Sequence, residues 1–298
     1  MKKQRIYIAG CGGMLGAAFY KQFNIDYELK CSDIDVNEDW LSYLDFRNEK
    51  EYRADVEAFR PDYLFHLGAY TDLEYCEQHP AETYLTNTIS VEHAVHIAND
   101  LNIPLLYIST AGIFDGHKAE YDDWDAPNPL DIYARAKYMG ERYVVENANH
   151  YLVCRAGWMM GGGPRKDKKF VNKIISQIRQ GATELFVVAD KDGTPTYTED
   201  FALNVKLLIE ERLRGVYNLV CTGLTSRLEV ASEIIKCLEL EDTVKITPVD
   251  SSYFKKEYFA PRPACERLIN RKLIIRGMNR MRDWKIALKE YIGEYYAK

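Results

Sequence analysis

The sequence predicts a doubly wound parallel α/β fold with a smaller α+β lobe, and three observations predict it. Apolar, β-branched runs alternate with helical patterns through Arg155. The first of these runs stops at a glycine cluster that opens a helix. The regular alternation then loosens where Gly157 and Gly161-Gly162-Gly163-Pro164 interrupt it. The expected division is 1–155 for the sheet domain and 156–298 for the smaller lobe, with part of 190–220 returning to the sheet.

Ile6-Tyr7-Ile8-Ala9 reads as a strand because its residues suit a pleated, buried surface, and it ends at Gly10. Met14 to Phe23 follows with a helical period. Tyr27 to Cys31, ending in Ser32-Asp33, is the second strand; Tyr63 to Leu67 and Pro104 to Ser109 are two more. Pro80 to Asn102 carries a long helical period between the last two, and a helix around Tyr133 to Asn147 precedes the strand Tyr151 to Arg155. Each crossover of this kind packs a helix onto a sheet face. In the last third, helices are expected over Phe170 to Gly181 and Phe201 to Arg212, and strands over Glu184 to Val188 and Val216 to Val220. Ser226, with Glu229 three residues on, predicts a capped helix reaching Leu238.

Bulk properties exclude several classes of function. The 298 residues are 47% hydrophobic and 28% charged, without repeats or low-complexity segments, as expected of a chain with a sizeable core. A net charge of −6 argues against a nucleic-acid surface, which needs a basic patch to displace phosphate counterions. The one basic cluster, Arg165, Lys166, Lys168 and Lys169, reads either as a solvated loop or as a grip for a small diphosphate. Seven cysteines (Cys11, Cys31, Cys76, Cys154, Cys221, Cys237, Cys265) form no CxxC pair, which suits reduced thiols and implies no zinc. Met1-Lys2-Lys3-Gln4-Arg5 runs into the first strand without a signal-peptide pattern, and no apolar run is of membrane-spanning length, so a cytoplasmic protein without a membrane partner is expected.

Gly10-Cys11-Gly12-Gly13-Met14-Leu15-Gly16 satisfies GxxGxxG through Gly10, Gly13 and Gly16. Glycine serves there because the turn is tight, the backbone must approach a pyrophosphate, and the helix N-terminus then offers N–H donors to the anion. Because the motif follows a predicted strand and opens a helix, with Asp33 ending the next strand, it reads as a Rossmann-type dinucleotide signature, the alternative being a purely structural turn. Asp33, ending the second strand, can accept hydrogen bonds from the ribose hydroxyls and would repel a 2′-phosphate, so of NADH and NADPH the former is favoured. Asp35 competes for the same role, and Lys30 is close in sequence.

Tyr133-Ala134-Arg135-Ala136-Lys137 sets a tyrosine and a lysine four apart, on one helix face. Hydride reduction of a ketone leaves an alkoxide that needs a proton. A phenol with a pKa near ~10 is a reluctant donor unless a cation such as a lysine ammonium stands near it. Thr110, at the end of the strand containing Ser109, can align the carbonyl with the phenol; Ser109 could serve instead, and the pair could also simply cap the next turn. His93 and His96 lie three apart without a visible third ligand, which makes an ordinary half-buried histidine the better reading than metal.

With these residues in place, the chain resembles the extended short-chain dehydrogenase/reductases and, among them, the dTDP-4-dehydrorhamnose reductase and sugar-nucleotide-binding subfamily. The matching stretches are GCGGMLG at 10–16, LDFRN around Asp45, HLGAYTDLEYCE from His66, LTNTISV around Asn87, YISTAGIFDG from Tyr107 and PNPLDIYARAKYMGE around Tyr133. Further on they are KKFVNKI, DGTPTYTEDFA, RPACERLINRKL from Arg262 and MRDWKIALKEYI. The resemblance implies catalysis by Thr110, Tyr133 and Lys137. It also implies a cofactor pocket of Gly10, Gly12, Gly13, Met14, Leu15, Gly16, Asp33, Asp45, Phe46, Leu67, Gly68, Ala69, Asn87, Tyr133 and Lys137. The smaller lobe would grip a nucleotide-diphosphate sugar through Trp158, Lys169, Phe170, Thr196 and Arg262, the last as a forked cation for the diphosphate. A homodimer is the expected assembly.

Two departures bear on the substrate. Where the subfamily reads STDYVFDG, this chain has Ser109-Thr110-Ala111-Gly112-Ile113-Phe114-Asp115-Gly116, and in RPxxSxL it has Glu266 for the serine. The groups for hydride transfer remain while the wall facing the sugar differs, so another deoxysugar fits as well as the rhamnose precursor. The leading expectation is NAD(P)H-dependent reduction of a 4-keto group on a nucleotide-linked deoxysugar. The alternatives are a sugar-nucleotide epimerase or dehydratase, and a non-catalytic regulatory subunit that binds a dinucleotide.

Overall fold

The computed structural model describes residues 3–296, so Met1 and Lys2 of the N-terminal stretch lie outside it. Six strands appear in the first half: β1 (Arg5–Ala9), β2 (Glu28–Asp33), β3 (Leu41–Tyr43), β4 (Tyr63–His66), β5 (Leu105–Thr110) and β6 (Tyr151–Ala156). With Gly215–Asn218 they form one parallel sheet in the order β3, β2, β1, β4, β5, β6, Gly215–Asn218. This is the Rossmann-type α/β architecture that the sequence predicts. The strand order reverses direction between β1 and β4, the switch point at whose carboxyl side α/β sheets bind ligands.

The helices of this half are α1 (Met14–Phe23), α2 (Glu49–Phe59), α3 (Leu73–Gln78), α4 (Pro80–Tyr84), α5 (Ser90–Asp100) and α6 (Ile132–Asn147). The helical run expected over Pro80 to Asn102 contains a π-turn at Leu85–Ile89, which carries Asn87. Such turns mark places where a helix is locally re-aimed. Here α6 packs close against the turn: a Cβ on Gly140 would come within 2.8 Å of the Asn87 carbonyl oxygen, and Thr88 donates its hydroxyl proton to the Ala136 carbonyl at 2.8 Å. A buried ion pair of Arg155 with Glu141, at 2.6 Å, ties α6 to β6.

The remaining chain differs from expectation in two places. The strand expected at Val216 to Val220 is Gly215–Asn218, and it forms the edge of the main sheet. The helix expected from Phe201 begins at Thr198 and ends at Glu210, because Glu199 and Asp200 favour its positive N-terminus; it packs on α1. The Ser226–Glu229 capping box is present and opens the helix Arg227–Cys237. Short strands link this region: Trp158–Met160 pairs with Pro195–Tyr197, and Asp192–Gly193 with Cys265–Glu266. A single apolar cluster runs from Ile6 and Phe19 through Phe201 and Tyr217 to Trp284 and Tyr291, joining both halves of the chain.

Candidate active site

At the reversal point, Gly10 has φ +78° and a Cβ there would stand 2.2 Å from the Gly68 Cα, so the carboxyl ends of β1 and β4 meet only because both residues are glycine. Phe46 packs under Gly68, and Leu67 and Ala69 flank it, half-buried. Beyond Gly10, Gly13 faces open space, and Met14, Leu15 and Gly16 form the first turn of α1. Asp33 accepts the Gly12 N–H at 2.8 Å through one carboxylate oxygen and the Asp35 N–H at 2.9 Å through the other. A Cβ on Gly12 would lie 2.9 Å from the Asp33 Cγ, so the glycine loop rests directly on this carboxylate. The cradle suits a dinucleotide: backbone N–H groups at a helix N-terminus, with an acid beside the loop.

Other residues of the expected pocket are already engaged. Arg47 forks onto Asp45, with contacts of 2.8 and 2.7 Å, and holds its carboxyl below the usual range. Asn87 is buried and spends its amide on both backbone groups of Tyr70, accepting at 2.8 Å and donating at 2.9 Å. It therefore clamps the loop after β4. Arg165 and Lys166 turn to Glu38, Lys166 at 3.0 Å, so this part of the basic cluster is not a free diphosphate grip; Arg165 stays exposed while the Lys166 side chain is only 6% exposed.

The chemical residues gather at the same sheet edge. Thr110 ends β5, and its hydroxyl accepts the Gly112 N–H at 3.2 Å, so it caps the turn while remaining half-exposed. Asp131 caps α6 by accepting the Ala134 N–H at 2.7 Å, which fixes the helix start and with it Tyr133 and Lys137 one turn apart. Burial pushes the Asp131 carboxyl up to about 6. Burial also raises the Tyr133 phenol; a hydrogen bond with Thr110 opposes that, and the charges of Asp131 and Glu266 add to it. Lys137 is 4% exposed, lies 4.2 Å over the Tyr107 ring and is pushed down to about 7 by desolvation. The charges of Asp131 and Glu266 work against the lowering expected from the lysine, and the phenol stays protonated. Ser109 is buried with its hydroxyl unpartnered.

In the second half of the chain, Trp158 donates its indole N–H to Glu266 at 2.8 Å. Lys169 reaches back to Thr71, with contacts of 2.8 and 3.0 Å, and desolvation lowers its ammonium. Two nominated residues need correction. Thr196 is fully buried, and its hydroxyl accepts the Gly157 N–H at 2.9 Å, because the strand Pro195–Tyr197 turns it inward. Arg262 is not a free cation: Glu74 takes both arms of its guanidinium, at 2.7 and 2.9 Å. Sequence reasoning missed Arg227, whose guanidinium stacks 3.7 Å over Trp158 and 4.6 Å over Phe170, with burial lowering it to about 10. Its only signal was its place directly after the Ser226 cap. His93 and His96 contact the Phe46 carbonyl and the Tyr143 hydroxyl respectively, and both lie 3.8 Å from the Glu49 carboxylate.

A family model described as the RmlD substrate binding domain matches residues 4–297. The dTDP-4-dehydrorhamnose reductase of Aggregatibacter actinomycetemcomitans is 27% identical over 96% of this chain and 97% of its own. The crystal structure of the dTDP-4-dehydrorhamnose reductase from Bacillus anthracis str. Ames in complex with NADP superposes with a TM-score of 0.90 at 28% identity, covering 98% of this chain and 100% of that one. Methionine adenosyltransferase 2 subunit beta of Danio rerio is 25% identical over 80% of this chain and 75% of its own.

Proposed function

The chain belongs to the RmlD substrate binding domain family, and on that premise we propose that it is an NAD(P)H-dependent oxidoreductase that reduces a 4-keto group on a nucleotide-linked deoxysugar. The observation that carries this reading is the gathering of Thr110, Tyr133 and Lys137 at the sheet edge that also holds the glycine cradle. Reductases named for dTDP-4-dehydrorhamnose among the relatives support the substrate class.

A bound nicotinamide dinucleotide supplies the hydride. Thr110 holds the carbonyl oxygen beside the phenol, and Tyr133 gives its proton to that oxygen as negative charge develops on it. Lys137, buried beside the phenol's own helical turn, donates to the nicotinamide ribose. Gly10, Gly12, Gly13, Met14, Leu15 and Gly16 cradle the pyrophosphate, Asp33 faces the adenosine ribose, and Phe46, Leu67, Gly68 and Ala69 line the dinucleotide site. Asp45 and Asn87 act as positioning residues. In this reading residues 1–155 and the returning 198–218 carry the cofactor, and the rest of 156–298 holds the sugar nucleotide through Trp158, Phe170 and Lys169. Cytoplasmic location and a homodimer belong to the same reading and rest on the sequence alone.

The cofactor preference proposed is NADH, because an acid ending β2 beside the glycine loop would repel a 2′-phosphate. Fluorescence titration of both cofactors should show NADH binding at least as tightly, and Asp33→Ala should shift the balance toward NADPH. A preference of the unmodified chain for NADPH beyond ~10-fold, equivalent to ~1.4 kcal/mol, contradicts the assignment. The diphosphate cation proposed is Arg227, since Glu74 occupies Arg262. Arg227→Ala should weaken nucleotide-sugar binding by on the order of 1.5–3 kcal/mol and leave dinucleotide affinity unchanged; an unaltered sugar-nucleotide Kd removes Arg227 from the site.

The reading is tested by dinucleotide oxidation with a panel of 4-keto sugar nucleotides: a reductase consumes one NAD(P)H per product and an epimerase none. The likeness to methionine adenosyltransferase 2 subunit beta favours a second reading, a binding subunit of another enzyme. That reading becomes the better one if dinucleotide binds and nothing in a broad panel is reduced.

A further inference from the structure

Building on the reductase reading, we infer that Glu266 selects the sugar, the carboxylate oxygen not used by Trp158 accepting a hydrogen bond from a hydroxyl or amino group of the hexose beside Thr110 and Tyr133.

Glu266 is half-buried in the short strand Cys265–Glu266, and its two oxygens have different surroundings. Oε2 accepts the Trp158 indole N–H at 2.8 Å. Oε1 has no donor within hydrogen-bond distance among the described residues and looks over the turn that follows Thr110: a Cβ at position 112 would lie 3.5 Å from Oε1 and 3.5 Å from the Thr110 Oγ1. Oε1 and the Thr110 Oγ1 therefore flank the same face of Gly112. Gly112 is buried and has no left-handed backbone; with no side chain of its own, nothing beyond its chain neighbours lies nearer to its Cβ position than these two oxygens. The charge of Glu266 also acts on the Tyr133 phenol.

The carboxylate is also held in place. The Trp158 ring that anchors it lies between the Arg227 guanidinium, 3.7 Å above, and the Gly193 backbone, where a Cβ would stand 2.1 Å from the ring. A fixed carboxylate accepts hydrogen bonds and cannot donate them. A sugar that presents a donor satisfies Oε1, whereas one that presents a methylene or carbonyl leaves it without one, the situation in which polar sites discriminate most strongly.

The test is affinity, measured by calorimetry with the chain saturated with oxidised dinucleotide so that no turnover occurs. The probes are thymidine-diphosphate hexoses lacking one ring hydroxyl at a time or carrying an amine in its place. At one ring position, removal of the donor should weaken binding to the unmodified chain by roughly 10- to 100-fold and should make little difference to Glu266→Ser. Should serine leave too large a void for the fold, Glu266→Met, of similar reach without the carboxylate, carries the same comparison. Glu266→Gln keeps the Trp158 bond through its carbonyl oxygen and identifies the donor: retained affinity means a hydroxyl, and lost affinity an ammonium. Equal losses at every ring position in both proteins overturn the inference and leave the reductase reading standing; failure to bind any nucleotide sugar overturns both.

Discussion

Tyr133→Phe should fold and bind dinucleotide like the unmodified chain while its kcat falls by about 10²–10⁴-fold. The substitution removes one oxygen and keeps the ring that packs at the start of α6. The phenol is raised by burial and by the neighbouring acids Asp131 and Glu266, so at neutral pH it is present as the proton donor. The loss should appear in kcat rather than in substrate affinity, because the proton moves only as charge develops on the sugar oxygen. Near-normal turnover of the variant on a confirmed substrate would rule out the phenol as general acid.

Lys137→Met should damage turnover and dinucleotide affinity together, the former by about 10²-fold or more, and yet stabilise the fold. Desolvation lowers the buried ammonium from an ordinary value of 10.5 to about 7. Between those values the unfolded chain binds a proton that the folded chain lacks, so the lysine's contribution to stability rises with pH across that window. Its cost is full below about 7 and gone above about 10.5. The variant's advantage in thermal midpoint, measured without cofactor, should therefore be largest near neutrality and vanish at high pH. A variant less stable than the parent at every pH contradicts the burial of a charged lysine.

The parts of this site that were legible in the sequence are those built from neighbours along the chain. The glycine cradle, Asp33 at the end of β2 and the Tyr133–Lys137 spacing each follow from one strand, turn or helix period. The capping box of Ser226 with Glu229 is as local. What the sequence did not reveal is made by contacts between distant residues: Trp158 meets Glu266 across 108 positions, and Arg262 meets Glu74 across 188. A motif match nominates an arginine without saying that an acid already occupies it. Thr196 shows the same limit, since the direction it faces depends on how its strand pairs with Trp158–Met160. Arg227 escaped notice because a residue at a helix start reads as helix, and only folding lays its guanidinium on two aromatic rings. β3 and α2 were not foreseen either; α2 buries only Tyr52 and Val56, too few apolar positions to set a clear period.

The most direct measurement of the central claim is isotope transfer from dinucleotide deuterated at the hydride position to a 4-keto sugar nucleotide, followed by NMR of the product. The account predicts one deuterium at C4 of the sugar for each dinucleotide oxidised. Product that carries no deuterium, or a sugar converted without net oxidation of the cofactor, would contradict it.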